Sequence, residues 1–147
     1  MIFLLDTSAL LAHHRDELGS DRVQSLFDDQ DCRILITSIS LTEFGRRMVA
    51  LGSSFKEVEQ TLDDYRLLFH GIVSVDEKVA LKAFQIGGLC SERIPLVDSL
   101  IAAAASVNKA ILVHRDGHFE SIPLNVLKHE KLGVPIKGVS KGSGINY

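Results

Sequence analysis

The sequence predicts an α/β sandwich built on a mostly parallel sheet. Short continuous apolar runs of strand length alternate with longer segments of helical periodicity along the chain. The first run ends abruptly in helix-capping residues, so a helix and not a hairpin follows it. No repeat, low-complexity tract or linker divides the 147 residues, so one domain of ordinary size can bury a core without staples.

The elements follow in order. Ile2 to Leu5 reads as a core strand, Asp6-Thr7-Ser8 as its capping exit, and Ala9 to His14 as a short helix. From Ser20 to Asp29, Val23, Leu26 and Phe27 share one helical face. Ile34 to Ile36 is a second strand, then Ser38 and Ser40 lead into a helix from Leu41 to Leu51, closed by Gly52. Ser53 starts another helix, with Val58, Leu62, Tyr65 and Phe69 at three- or four-residue intervals. Ile72 to Val75 is a third strand, Val79 to Leu89 a helix, and Pro95 opens an alanine-rich helix from Leu96 to Val107 with Leu100, Ile101 and Ala104 inward. Ala110 to Val113 is a fourth strand, ending in His114-Arg115-Asp116-Gly117. Val126-Leu127 and Val134 to Ile136 are candidate edge strands, residues 1–140 form the domain, and residues 141–147 are expected to be a flexible tail.

Strands alternating with helices imply parallel pairing through crossovers, and such sheets bind ligands beyond the carboxyl ends of their strands. Asp6 and Asp116 stand at two of those ends, while Glu43 and Asp98 lie in first helical turns. Each has a local explanation as well. Asp6 can cap its helix, Ser40-x-x-Glu43 spells a capping box, Asp98 suits a helix dipole, and Asp116-Gly117 is a tight-turn pair. Their convergence on one end of the sheet argues for a joint role. Neighbouring carboxylates repel by on the order of a few kcal/mol per pair at an effective dielectric near 20. Protons or a cation must therefore neutralise them. A site rich in oxygen, without cysteine or paired histidines, suits Mg²⁺ or Mn²⁺ better than Zn²⁺.

Four segments in order resemble PIN-domain ribonucleases, especially the VapC-like toxins of bacterial toxin–antitoxin pairs: Phe3 to Leu10, Leu41 to Phe44, Pro95 to Ala103 and Ile111 to Phe119. The resemblance spans about residues 1 to 123. It implies a PIN-like three-layer α/β/α sandwich with a central, mostly parallel sheet of four to five strands. It also implies a Mg²⁺- or Mn²⁺-dependent endoribonuclease in which Asp6, Glu43, Asp98 and Asp116 are the catalytic and metal-binding acids, with Ser8 as a helper. An RNA substrate, a cognate antitoxin that reaches the acidic groove with a cationic segment, and a homodimer are further implications. The helix around Val58, Leu62 and Tyr65 could serve that dimer or the core. This chain departs from the family in having His114 two residues before its last acid, where Thr or Ser is common.

Arg46 and Arg47 follow Glu43 on its side of the helix and, with Arg15 and Arg115, could hold phosphates; a solvated face laced with salt bridges explains them equally. His13, His14, His114 and His118 are more readily surface or core-edge residues than proton shuttles, and Phe44 and Phe119 are expected in the core.

Composition excludes other classes. Apolar residues make up 46% and charged residues 24%, net charge is −3 and the pI about 6.0, so any RNA-binding surface must be local. Cys32 and Cys90 are too few and too isolated for a disulfide framework, and with no signal peptide or run of roughly 18 apolar residues the expected place is the cytoplasm, without a membrane partner. Neither Gly-x-x-x-x-Gly-Lys nor Gly-x-Gly-x-x-Gly occurs, which removes nucleotide-binding readings. Ser8 stands where haloacid-type phosphatases carry a second Asp, so another Mg²⁺-dependent phosphohydrolase is a weaker alternative. A non-catalytic RNA- or protein-binding PIN-like module is the other, and loss of acids would favour it.

Overall fold

A computed structural model describes residues 1–133. Its elements run β1 (Ile2–Leu5), α1 (Thr7–His14), α2 (Ser20–Asp28), β2 (Arg33–Thr37), α3 (Ser38–Ala50), α4 (Phe55–Arg66), β3 (Gly71–Val73), α5 (Glu77–Leu89), α6 (Leu96–Val107), β4 (Ile111–His114), a 3₁₀ turn (Gly117–Ser121) and β5 (His129–Lys131). The five strands pair in the order β3-β2-β1-β4-β5, and every pairing is parallel.

Strand periodicity sorts the side chains between two helical layers. Leu4, Leu35 and Leu112 face α5 and α6, where the buried run Ala102 to Ala105 lets helix and sheet approach closely. Phe3, Leu5, Ile34 and Val113 face α1 and α2. Leu10 and Ile36 join Phe44, Met48, Val58 and Tyr65 beneath α3 and α4. Val58 and Tyr65 thus belong to the core, with Leu62 packed against them, and that face is not open to a second subunit. Phe44 and Phe119 are fully buried, in line with the expectation that both pack in the core.

The chain moves outward from β1 to β2 and β3, then returns across β1 to β4 and β5. The order reverses between β1 and β4, the switch point where a crevice opens at the carboxyl ends. Two expectations, one at each edge of the sheet, need correction. Val126 lies in a turn and Leu127 is buried, while the edge strand is His129–Lys131, whose polar sequence carries no apolar signal. Val75 falls outside β3, which ends at Val73. The Val134 to Ile136 strand and the tail at 141–147 lie outside the described residues. No helix among the described residues is long and apolar enough to cross a membrane.

Candidate active site

Asp6 leaves β1 in extended conformation and caps α1, its Oδ1 accepting from the Ala9 amide at 2.8 Å. Its amide donates to the Val113 carbonyl of β4 at 3.0 Å, which pins the residue at the switch point. The carboxyl is 4% exposed, and the Ser8 hydroxyl donates to it, 2.7 Å from Oδ1 and 2.8 Å from Oδ2. Burial raises its pKa from 3.8 to about 7; the Ser8 and Ala9 hydrogen bonds oppose that, and Asp98 and Asp116 add to it. Capping and site membership are therefore one arrangement.

Glu43 enters from α3, and its Oε1 accepts from the Thr7 hydroxyl at 2.6 Å. The capping box expected at Ser40 does not form. Thr37 caps α3 instead, accepting from the Ser40 amide, because the helix begins three residues earlier than the periodicity of its apolar residues suggests. Glu43 is thereby released from a capping duty and turned to the cleft.

Asp98 lies in the first turn of α6 and Asp116 caps the 3₁₀ turn, its Oδ1 accepting from the His118 amide at 2.9 Å. Between them sits the His118 imidazole, with Nδ1 2.9 Å from Asp98 Oδ2 and 3.0 Å from Asp116 Oδ1. Both partners are acceptors, so this nitrogen donates. The Asp98 hydrogen bond, with the charge of Asp116, raises the His118 pKa. Burial raises that of Asp98, against the pull of His118.

The four acids, Thr7, Ser8, Arg46 and Arg47 line one cleft of about 500 Å³. Within it Asp98, Asp116 and His118 form the tight group, with ligand-type atoms within 4.8 Å of one another. Sequence reasoning discounted His118, although it stands two residues beyond Asp116 in the same turn, and it overlooked Thr7. Arg115 lines a neighbouring pocket with Ser8, Arg15 and Arg47, and its amide donates to Ser8 Oγ at 2.9 Å.

His114 is fully buried. Its Nδ1 accepts from the Asp116 amide at 3.1 Å, so the proton sits on Nε2, which donates to His129 Nδ1 at 2.9 Å. Burial pushes its pKa down to about 4. It shapes the Asp116 turn from behind and does not reach the cleft. His13 is likewise occupied elsewhere, bonded to Tyr65 and Gln24.

A parallel α/β sandwich with four acids at its switch point is a protein with an acidic centre suited to a hard cation. The chain belongs to the PIN domain family, whose model matches residues 3–124, and members of that family are typically nucleases. It is similar in fold to solved VapBC2 from Rickettsia felis, with 23% identity and a TM-score of 0.70 over 89% of this chain and 98% of that one. VapBC-1 from nontypeable Haemophilus influenzae gives 18% identity and a TM-score of 0.70 over 89% and 98%. FitAcB from Neisseria gonorrhoeae gives 26% identity and a TM-score of 0.66 over 88% and 97%. No curated protein matches the chain significantly.

Proposed function

We propose that the chain is a Mg²⁺- or Mn²⁺-dependent endoribonuclease that hydrolyses RNA phosphodiester bonds as the toxin of a toxin–antitoxin pair. The observation that carries this reading is the His118 imidazole held between Asp98 and Asp116, two of the four acids that line one cleft. The Asp98 and Asp116 carboxylates raise the His118 pKa, so the cluster favours positive charge at the place where a cation would neutralise the acids.

Asp98 and Asp116 would be the first ligands, and Asp6 joins them by giving up the proton that burial holds on it. The donor set is mainly carboxylate and hydroxyl oxygen, which fits Mg²⁺ or Mn²⁺. Such an ion supplies Lewis-acid activation of water and stabilises charge on phosphoryl oxygens. Glu43, which accepts from the Thr7 hydroxyl, would take a proton from water. Ser8 orients Asp6 and ties it to the Arg115 loop. Arg46 and Arg47 bring positive charge to the rim, the local surface that a chain of net charge −3 needs for a polyanion.

The structural neighbours are VapBC and FitAB assemblies, one described as a member of a toxin–antitoxin family, which supports a cognate antitoxin; a cationic segment of it would suit the acidic cleft. Homodimerisation and action in the cytoplasm complete the proposal.

The test is cleavage of single-stranded RNA by the purified chain. Activity should require Mg²⁺, vanish in EDTA and return with excess metal. Asp98→Asn should lower kcat/KM by at least about a hundredfold while the variant stays folded by circular dichroism. Undiminished cleavage in EDTA, or in folded Asp98→Asn, contradicts the reading.

A further inference from the structure

Beside the acidic cleft lies a second pocket of about 360 Å³, lined by Ser8, Leu11, Arg15, Glu17, Arg47 and Arg115. It shares Ser8, Leu11 and Arg47 with the acidic cleft, so the two are continuous. Three guanidiniums converge here from separate elements: Arg15 from the end of α1, Arg47 from α3 and Arg115 from the loop after β4. Against them stands one carboxylate. Glu17 Oε1 lies 3.2 Å from Arg15 Nε, and Glu17 Oε2 lies 3.8 Å from Arg115 Nη1. Each of its oxygens thus faces a different arginine, as the two free oxygens of a phosphodiester would.

Glu17 is held in place by its backbone. Asp16 adopts φ 52, a left-handed conformation that reverses the chain after α1, and the Glu17 amide returns to the Ala12 carbonyl at 2.9 Å. The pairs themselves are weak, because all three side chains are between 33% and 43% exposed and water screens them. A ligand with better geometry can displace the carboxylate. Arginine forks match phosphate bidentately, and three of them leave positive charge unspent on Glu17.

We propose that Arg15, Arg47 and Arg115 form a subsite for the RNA backbone phosphate next to the scissile one, which Glu17 plugs when no RNA is bound. The subsite rests on the ribonuclease reading and gives it a substrate register. The Ser8 hydroxyl binds Asp6 and its oxygen accepts the Arg115 amide, so the arginine pocket and the acidic centre are fixed at one spacing. A flanking phosphate seated among the arginines would set which bond reaches the acids.

The experiment uses a single-stranded RNA cut at one mapped position, and the same RNA with an uncharged methylphosphonate at each phosphate flanking the cut in turn. With Mg²⁺, Arg15→Gln should raise KM for unmodified RNA about tenfold with little change in kcat. It should also flatten the dependence of log KM on log salt by about 0.7. One methylphosphonate position should raise KM for the wild type and have no further effect on Arg15→Gln. Glu17→Gln should lower KM. Equal sensitivity of wild type and Arg15→Gln at every position, or a raised KM in Glu17→Gln, overturns the subsite while cleavage of unmodified RNA leaves the nuclease reading standing. Absence of Mg²⁺-dependent cleavage by the wild type overturns both.

Discussion

Asp6 is buried at the start of α1 with 4% of its surface exposed, whereas Asp98 and Asp116 stand half-buried across the cleft with the His118 imidazole between them. Both walls confront the repulsion of clustered carboxylates. The buried wall meets it with a proton, since desolvation makes the charged form of Asp6 costly. The open wall meets it with the exposed His118 imidazole, which hydrogen-bonds both acids and whose charged form they favour. A divalent ion would replace both devices together, so the cation-free protein is held in waiting by groups that can leave.

The comparison is broken most forcefully at the buried wall. Asp6 ionises near 3.8 when unfolded and near 7 when folded, so between these values the folded chain holds a proton that the unfolded chain has lost. Its contribution to stability is therefore fullest below about pH 4, falls as pH rises to 7 and is flat above. Asp6→Asn keeps an acceptor for the Ala9 amide and lacks this fall. Its advantage over the metal-free wild type should grow across that window to on the order of 4 kcal/mol at most, read by urea denaturation in EDTA. Asp98→Asn should gain less. Equal gains would mean that burial does not separate the walls.

Behind the open wall, His114 works in the opposite sense. Its folded pKa of about 4 lies below the ordinary 6.5, so it makes stability rise with pH between those values and partly cancels the fall from Asp6. His114→Leu should cost about 1–3 kcal/mol near pH 7, because the Asp116 amide loses its acceptor, and the loss should shrink toward pH 4. A pH-independent loss would show that His114 is a packing residue alone.

Ser8 joins the walls, and Ser8→Ala should cost about 1 kcal/mol. It also removes a bond that holds the Asp6 pKa down, so more protons should leave on metal binding near neutral pH. The smallest effect belongs to the exposed imidazole. His118→Ala should tighten Mn²⁺ binding a few-fold at pH 6, where the competing imidazolium is charged, and less at higher pH, by calorimetry. Weaker binding would make His118 a ligand and not a placeholder.

The two walls also differ in how legible they were. Apolar runs disclosed β1, β2 and β4, because buried parallel strands carry an unbroken hydrophobic signal. Strand β5 was hidden, since His129-Glu130-Lys131 forms a polar edge placed by its pairing with β4 and not by its own pattern. Asp6 and Asp98 could be read from position. Glu43 drew a capping explanation that failed when Thr37 took the cap, whereas the capping explanation of Asp6 held without excluding a site, and Asp116, read as a turn residue, caps the 3₁₀ turn. His118 was discounted because nothing local marks an imidazole that bridges an acid two residues away to another 20 residues away. The Asp98 contact exists only once α6 and the turn after β4 are packed side by side.

Calorimetric titration of the metal-free chain with Mn²⁺ at pH 6, in two buffers of different ionisation enthalpy, tests the shared cation site most directly. Binding should release about one proton per ion, mainly from Asp6, and that release should fade by pH 8.5 and fall sharply in Asp6→Asn. Absence of binding, or binding without proton release at pH 6, would contradict the account.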